Sequence, residues 1–301
     1  MSKILKVRKP SDYSSWLGQS DPHELISVIN YSELSPVRYS LNNYDVYGLF
    51  LQGKEDIDLV YGTGKYDYSE GTLICVAPGQ LGGKEDTGEL VTLTGWAVLF
   101  HPDILQGTAL EKEIKNFSFF DYRINEALHM TAEERDVMVA LMRQLEQELH
   151  TPADAMQNRI IAGFINLLLR YAQRFYNRQF VTRTVVNNDI LSKFESLLKE
   201  YFDKERQLVN GLPTVQHCSA QLCMSPNYLS DVIKRTTGDT ANHYIKRFMI
   251  QLAKNRLVSG MNSSEVAYSL GFDYPQHFAR MFKKMTGVTP TAYRSGRHSI
   301  G

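Results

Sequence analysis

Ten side chains near the end of the 301-residue chain have hydrogen-bonding and charge chemistry suited to a nucleic acid. They fall in two groups: Asn227, Ser230, Asp231, Lys234 and Arg235, then Gln276, His277, Arg280, Lys283 and Lys284. An arginine can fork onto the O6 and N7 of guanine, and an asparagine or glutamine onto the edge of adenine. Lysines and arginines that miss the bases can neutralise phosphates. Arg280 is the best candidate for guanine, and Gln276 or Asn227 for adenine. Asp231 cannot pair with phosphate; it could accept from cytosine or face solvent. Lys234, Arg235, Lys283 and Lys284 also fit the bland reading of a solvated helix end, where cations are favoured.

These groups lie in a stretch that occurs twice. Leu222 answers Leu270 at a spacing of 48, whereas Leu229 answers Phe278, and Gly238 answers Gly287, at 49. The extra residue falls between the halves of the second copy, so each copy reads as helix, turn, helix, with the second turn one residue longer. Asn262 with Glu265 makes a capping box, and Ser225 followed by Pro226 makes a second helix start. Gly271 suits a turn that needs positive φ. Small residues at Ser219 and Ala267 let the paired helices approach closely. The second helix of each copy has a buried stripe, Leu229, Val232 and Ile233 in one and Phe278, Met281 and Phe282 in the other. Between the copies runs a long helix, about residues 241–259, with Ile245, Phe248, Met249, Leu252 and Leu257 inward and Gly260 at its end. This is a helix-turn-helix pattern written in tandem, whose second helices are the ones that enter the major groove.

With its Leu270-Gly271-Phe272 turn, Phe282-Lys283-Lys284 and closing Gly287-Val288-Thr289-Pro290-Thr291-Ala292-Tyr293-Arg294, the region from about 190 to 295 resembles the DNA-binding domain of the AraC/XylS family of bacterial transcription regulators. The resemblance implies a ligand-responsive activator in the cytoplasm rather than an enzyme, with no cofactor or metal. The implied partners are double-stranded promoter DNA, a second copy of the chain, a small-molecule effector and RNA polymerase, with no membrane. The family often has a basic or amide residue where Asp231 stands, which weakens the case for base reading by the first copy.

The charge distribution agrees. The chain is neutral overall, with 33 basic and 33 acidic residues, but from Asp189 onward 15 Lys and Arg stand against 9 Asp and Glu. A basic C-terminal half suits a polyanion through counterion release. With 43% hydrophobic and 22% charged residues, this is ordinary globular composition, enough for about two domains. The first ten residues lack the apolar core of a signal peptide, and no apolar run is long enough for a bilayer. Cys75, Cys218 and Cys223 offer no disulfide framework; the last two read as small buried hydrophobes within the first copy.

The N-terminal part changes period. Residues 1–30 read as a weak helical or irregular opening. From Val37 on, alternation through Tyr47, Leu49 and Leu51, then Ile57, Leu59 and Tyr61, then 66–68, 72–77 and 90–100, with a turn at Gly62-Thr63-Gly64, predicts short strands in a small barrel or sandwich. The family resemblance makes this a cupin-like effector domain, although the metal-binding His-x-His of cupin enzymes is missing and His101 stands alone. Tyr44, Tyr47, Phe50, Tyr61, Tyr66, Tyr68 and Trp96 supply aromatic surface, but alternation does not assign pocket residues. Thr131 with Glu134 starts a helix, and Thr151-Pro152 a second, whose apolar residues from Ile160 to Phe175 cover more than one face. The resemblance makes that helix a dimer seam.

The expected architecture is α+β and multidomain: a cupin-like domain over residues 1–128, a helical dimerisation segment over 129–178, a polar linker over 179–188, and an all-α domain over 189–301 with helix-turn-helix units at about 214–238 and 262–287. Two other readings remain open, a metal-dependent cupin enzyme with a DNA-binding tail and a regulator controlled by a protein partner.

Overall fold

The computed structural model describes residues 4–53, 71–123 and 126–296. The strand readings at Ile57, Leu59 and Tyr61, the turn at Gly62-Thr63-Gly64 and Tyr66-Asp67-Tyr68 lie outside the described residues. The chain divides into two compact units, Met1–Thr182 and Arg183–Gly301.

The first unit is mixed α and β. Its elements are β1 (Leu5–Val7), α1 (Pro10–Trp16), β2 (Ile26–Asn30), β3 (Leu41–Tyr44), β4 (Tyr47–Gln52), β5 (Thr72–Val76), β6 (Gln80–Gly83), β7 (Gly95–Phe100), α2 (Leu110–Glu113), β8 (Leu128–His129), α3 (Ala132–Leu149) and α4 (Gln157–Thr182). Among the described residues these strands make a three-stranded sheet, β1-β3-β6, and a five-stranded sheet, β2-β7-β4-β5-β8. Leu49 sits opposite Val98 on one side and Cys75 on the other, so β4 is central and its leucines are fully buried. The opening of the chain is not irregular: β2 pairs along its whole length with β7, from Ile26 opposite Phe100 to Asn30 opposite Trp96. The strand expected over 90–100 begins only at Gly95; before it, Val91 makes a single bridge to Val37.

The helices of this unit are set by caps. Thr131 and Glu134 close the expected capping box on α3. Helix α4 does not start at Thr151-Pro152. The Thr151 hydroxyl turns back to the Glu148 carbonyl at the end of α3, and the Asp154 carboxylate accepts from the Met156 and Gln157 amides. At the other end of α4, the buried Gln179 side chain accepts from the His129 amide at 2.7 Å and donates to the Ala127 carbonyl at 3.2 Å. Its amide thereby imitates a neighbouring strand at the β8 edge, where unpaired backbone would otherwise be costly. Arg178 donates to the His129 carbonyl and pairs with Glu134, tying α4 to the start of α3.

The second unit is all helix: α5 (Thr184–Asp203), α6 (Gln207–Asn210), α7 (Val215–Gln221), α8 (Pro226–Thr237), α9 (Ala241–Val258), α10 (Ser263–Ser269), α11 (Pro275–Thr286) and α12 (Pro290–Arg294). The stretch read as a linker, 179–188, is helical on both sides of Arg183, whose φ of −95° and ψ of 33° break the run between α4 and α5. The core of this unit gathers Phe194 and Leu198 of α5, Leu229, Val232 and Ile233 of α8, Ala253 and Leu257 of α9, and Phe278 and Phe282 of α11. Met281, Phe248 and Leu252, expected inside, are only half-buried, while Tyr244 and Ile250 join the buried face of α9.

Candidate nucleic-acid interface and interior cavity

The two copies fold as two helix-turn-helix units, α7–α8 and α10–α11, joined by α9. The turn between α10 and α11 is one residue longer than that between α7 and α8, as the 48 and 49 spacings require. Ser225 accepts from the Tyr228 amide and Pro226 opens α8; Asn262 accepts from the Ser264 and Glu265 amides while Glu265 accepts from the Asn262 amide. Gly238 and Gly287 end α8 and α11 in the same left-handed conformation, with φ of 78° and 81°. Ser219 and Ala267 are both buried at the helix crossings. Leu270 is fully buried, but its counterpart Leu222 is only half-covered.

The outward faces of α8 and α11 carry the expected residues with different degrees of exposure. Gln276, His277, Arg280, Lys283 and Lys284 are all exposed on α11. On α8, Lys234 and Arg235 are exposed, whereas Asn227, Ser230 and Asp231 are half-buried. The Ser230 hydroxyl donates to the Pro226 carbonyl at 2.8 Å, which leaves only its lone pairs for a partner. The four Lys and Arg residues sit in the last turns of their helices, where the dipole also favours them.

The copies differ most in their cores. In the second, Phe272, Phe278, Phe282 and Tyr293 form a chain of ring contacts with centroids 5.6, 5.7 and 5.5 Å apart. Tyr293 comes from α12, so the Pro-x-x-Tyr end of the domain braces α11. The equivalents in the first copy are Met224, Leu229 and Ile233, with an aromatic, Tyr244, only in the place of Tyr293.

The first unit holds a cavity of ≈ 650 Å³, whose walls include residues of both sheets, α1, α4 and the 119–127 segment. Tyr44 and Phe50, two of the aromatics singled out from the sequence, line it; Tyr47 and Trp96 do not, and Tyr61, Tyr66 and Tyr68 lie outside the described residues. Along one wall, Ser40 donates to Asn42 Oδ1 at 2.7 Å and Asn42 Nδ2 donates to the Tyr44 hydroxyl at 2.9 Å. Nearby, the Tyr13 and Tyr31 hydroxyls share a bond of 2.9 Å, and burial pushes the Tyr13 phenol up to about 12. His101 is outside the cavity lining and works as a cap, its Nδ1 accepting from the Asp103 amide. Among the described residues no group of three or more His, Cys, Asp and Glu side chains could hold a metal ion, and no helix is long and apolar enough to cross a membrane.

A family model for a helix-turn-helix domain matches residues 218–296, from within α7 through α12 and so including the aromatic brace. The C-terminal unit carries an AraC-type helix-turn-helix domain. The chain is similar to the HTH-type transcriptional regulator YtdP of Bacillus subtilis (strain 168), 32% identical over 88 residues, 29% of this chain and 11% of that protein. The HTH-type transcriptional activator RhaS of Salmonella schwarzengrund (strain CVM19633) is 26% identical over 181 residues, 60% of this chain and 59% of that protein. Among solved structures, the C-terminal domain of AraT, a response regulator from Geobacillus stearothermophilus, is 27% identical with a TM-score of 0.32, covering 36% of this chain and 86% of that one. The chain therefore spans less than two thirds of the length of either curated relative.

Two features of the AraC-type domain were not legible beforehand. Tyr274, 57% exposed, stands at the N-cap of α11 with its ring edge-on to His277 at 5.5 Å, beside the candidate base-reading residues. A solvent-facing aromatic directly before Pro275 was the available signal. The other is Gln207 of α6, whose buried side chain donates to the Ser269 carbonyl at 2.9 Å and so fastens the end of α10. Arg256 of α9 donates to the Ser269 hydroxyl at 2.7 Å from the other side.

Proposed function

We propose that the chain is a sequence-specific, DNA-binding transcription activator whose cupin-like first unit takes a small-molecule effector. The observation that carries the reading is the pairing of two helices, α8 and α11, whose apolar faces are buried and whose opposite faces present amide, guanidinium and ammonium groups. Helix α9, 18 residues and so about 27 Å long, links the two helix-turn-helix units. That length suits two helices reading successive major-groove faces about one duplex turn apart. In α11 the exposed Arg280 and Gln276 would meet base edges, with Lys283 and Lys284 on phosphates; α8 would contribute fewer base contacts through Asn227, Ser230 and Asp231, with Lys234 and Arg235 on phosphates.

The chain pairs with a second copy through α4. Ile160 and Leu167 are 40% and 42% exposed there, and the half-buried Phe164 and Tyr171 continue the same stripe. An effector in the ≈ 650 Å³ cavity regulates DNA binding to the extent that it binds one arrangement of the protein more tightly than another. RNA polymerase is the partner an activator at a promoter would engage.

The test is selection of duplexes from a random pool by the full-length protein at fixed salt. Enrichment of a site with two conserved blocks about one helical turn apart is expected. A pool that binds well but gains no sequence preference contradicts the reading.

A further inference from the structure

The walls of the cavity are chemically unlike each other. On one side, Arg38, Ser40, Asn42 and Tyr44 line it as alternate residues leading into and along β3, and Lys84 joins them just beyond β6. The Lys84 amide bonds to the Ser40 carbonyl at 3.2 Å, which brings both cations to the same end of the three-stranded sheet. From there the hydroxyl of Ser40, the amide of Asn42 and the phenol of Tyr44 form a relay into the interior. Tyr44 Oη accepts from Asn42, leaving its own proton for an acceptor in the cavity. The facing wall is apolar, with Phe50, Ile74, Val76 and Leu93 from the region of the five-stranded sheet and Phe119 and Tyr176 beyond it.

The charge at this site runs against its surroundings. Residues before Asp189 hold more acidic than basic groups, yet the described lining has three cations, Arg38, Lys84 and Arg123, and a single carboxylate, Asp121. Among the described residues, no carboxylate pairs with Lys84 or Arg123. Lys84 lies over the Tyr39 ring at 4.8 Å, and Arg38, itself exposed, meets one carboxylate among the described residues, the exposed Asp86, at 3.8 Å. Nine of the 26 described lining residues are aromatic, against 11% of the whole chain. A volume of ≈ 650 Å³ lies within the range of small-molecule sites.

We infer that the cavity selects a carboxylate carried on an aromatic body, with the carboxylate at the Arg38–Lys84 end and the rings against the apolar wall. This rests on the reading of the first unit as an effector domain. Charge-assisted hydrogen bonds from the cations would supply discrimination against a neutral isostere, and the aromatic lining would favour planar ligands over flexible chains.

Binding of 2-naphthoate, 2-naphthamide and dodecanoate to the full-length protein, followed by calorimetry, tests the inference. Naphthoate is expected to bind about tenfold or more tighter than either of the others. In Lys84→Gln and Arg38→Gln the ratio of naphthoate to naphthamide affinity should fall toward one. That ratio is internal to each variant, so a general loss of stability does not mimic it. Naphthamide binding as well as naphthoate, dodecanoate binding better, or a ratio unmoved by both substitutions would each overturn the assignment while leaving an effector site in place. Binding of none of the three overturns the assignment and the effector reading together.

Discussion

The backbone carbonyl of Gln207 occupies the space that a side chain on Gly271 would need. A Cβ at Gly271 would stand 2.6 Å from that oxygen, and Gly271 also holds a φ of 86°. The corresponding residue in the first helix-turn-helix is Cys223, which takes the same left-handed turn with a φ of 56° and is exposed. Both turns thus demand a positive φ, but only the second is closed by a neighbouring segment.

Gly271→Ala should therefore cost about 2–3 kcal/mol of stability, from strain and from displacement of α6. Cys223→Gly should stay within about 1 kcal/mol of the parent, on the stabilising side, because it relieves the left-handed turn without touching a neighbour. Urea unfolding of the two variants checks this; similar losses in both would contradict the role given to Gln207.

For the DNA contacts, Arg280→Ala should lose about 1–3 kcal/mol at a selected site and relax the preference at one base position. Lys283→Ala should weaken specific and random duplexes alike and flatten the salt dependence. Salt-controlled gel shifts distinguish these outcomes, and equal losses on both duplexes for Arg280→Ala would remove it from base reading.

The cysteines should behave differently from one another. Cys75 and Cys218 are buried and Cys223 is exposed, so one thiol per chain should react rapidly with a disulfide reagent in the native protein and three in denaturant. Burial pushes the Cys218 thiol up to about 11 from an ordinary 9.0. The folded state then holds this proton more tightly than the unfolded chain. The associated stabilisation is complete below pH 9 and is lost as pH rises through 11. Stability measured in urea should decline across that window, and the decline should be shallower in Cys218→Ala.

The exposed stripe on α4 makes a prediction about assembly. Leu167→Glu and Ile160→Glu should each convert a dimer to a monomer in sedimentation velocity, without loss of helical circular dichroism. A parent protein that is monomeric at micromolar concentration would remove α4 as a seam.

Much of the C-terminal unit was legible because its signals are local. Caps at Ser225 and Asn262 depend on residues within three positions, as does that at Thr131 in the first unit, and the 48 and 49 spacings report directly on the turn lengths. Less was legible where burial is decided by distant chain. Strand β2 has no strong alternation of its own and exists through its pairing with β7, more than 65 residues away. Both residue types of Thr151-Pro152 suit a helix start, yet the Thr151 hydroxyl is committed to the preceding helix and Asp154 does the capping for α4. Cys223 belongs to a residue type that is usually buried, whereas its position is an exposed turn apex.

By itself, the sequence determined the tandem helix-turn-helix, the basic second half and the ten candidate DNA-facing residues, since periodicity, capping and charge are properties of short segments. Only the tertiary structure decided which of those residues stand fully exposed, how Gln207 and Tyr293 brace the second helix-turn-helix, and that alternate residues from Arg38 to Tyr44 line a cavity with Lys84. These depend on segments far apart in the chain meeting in space, and neither composition nor spacing encodes which segments will meet.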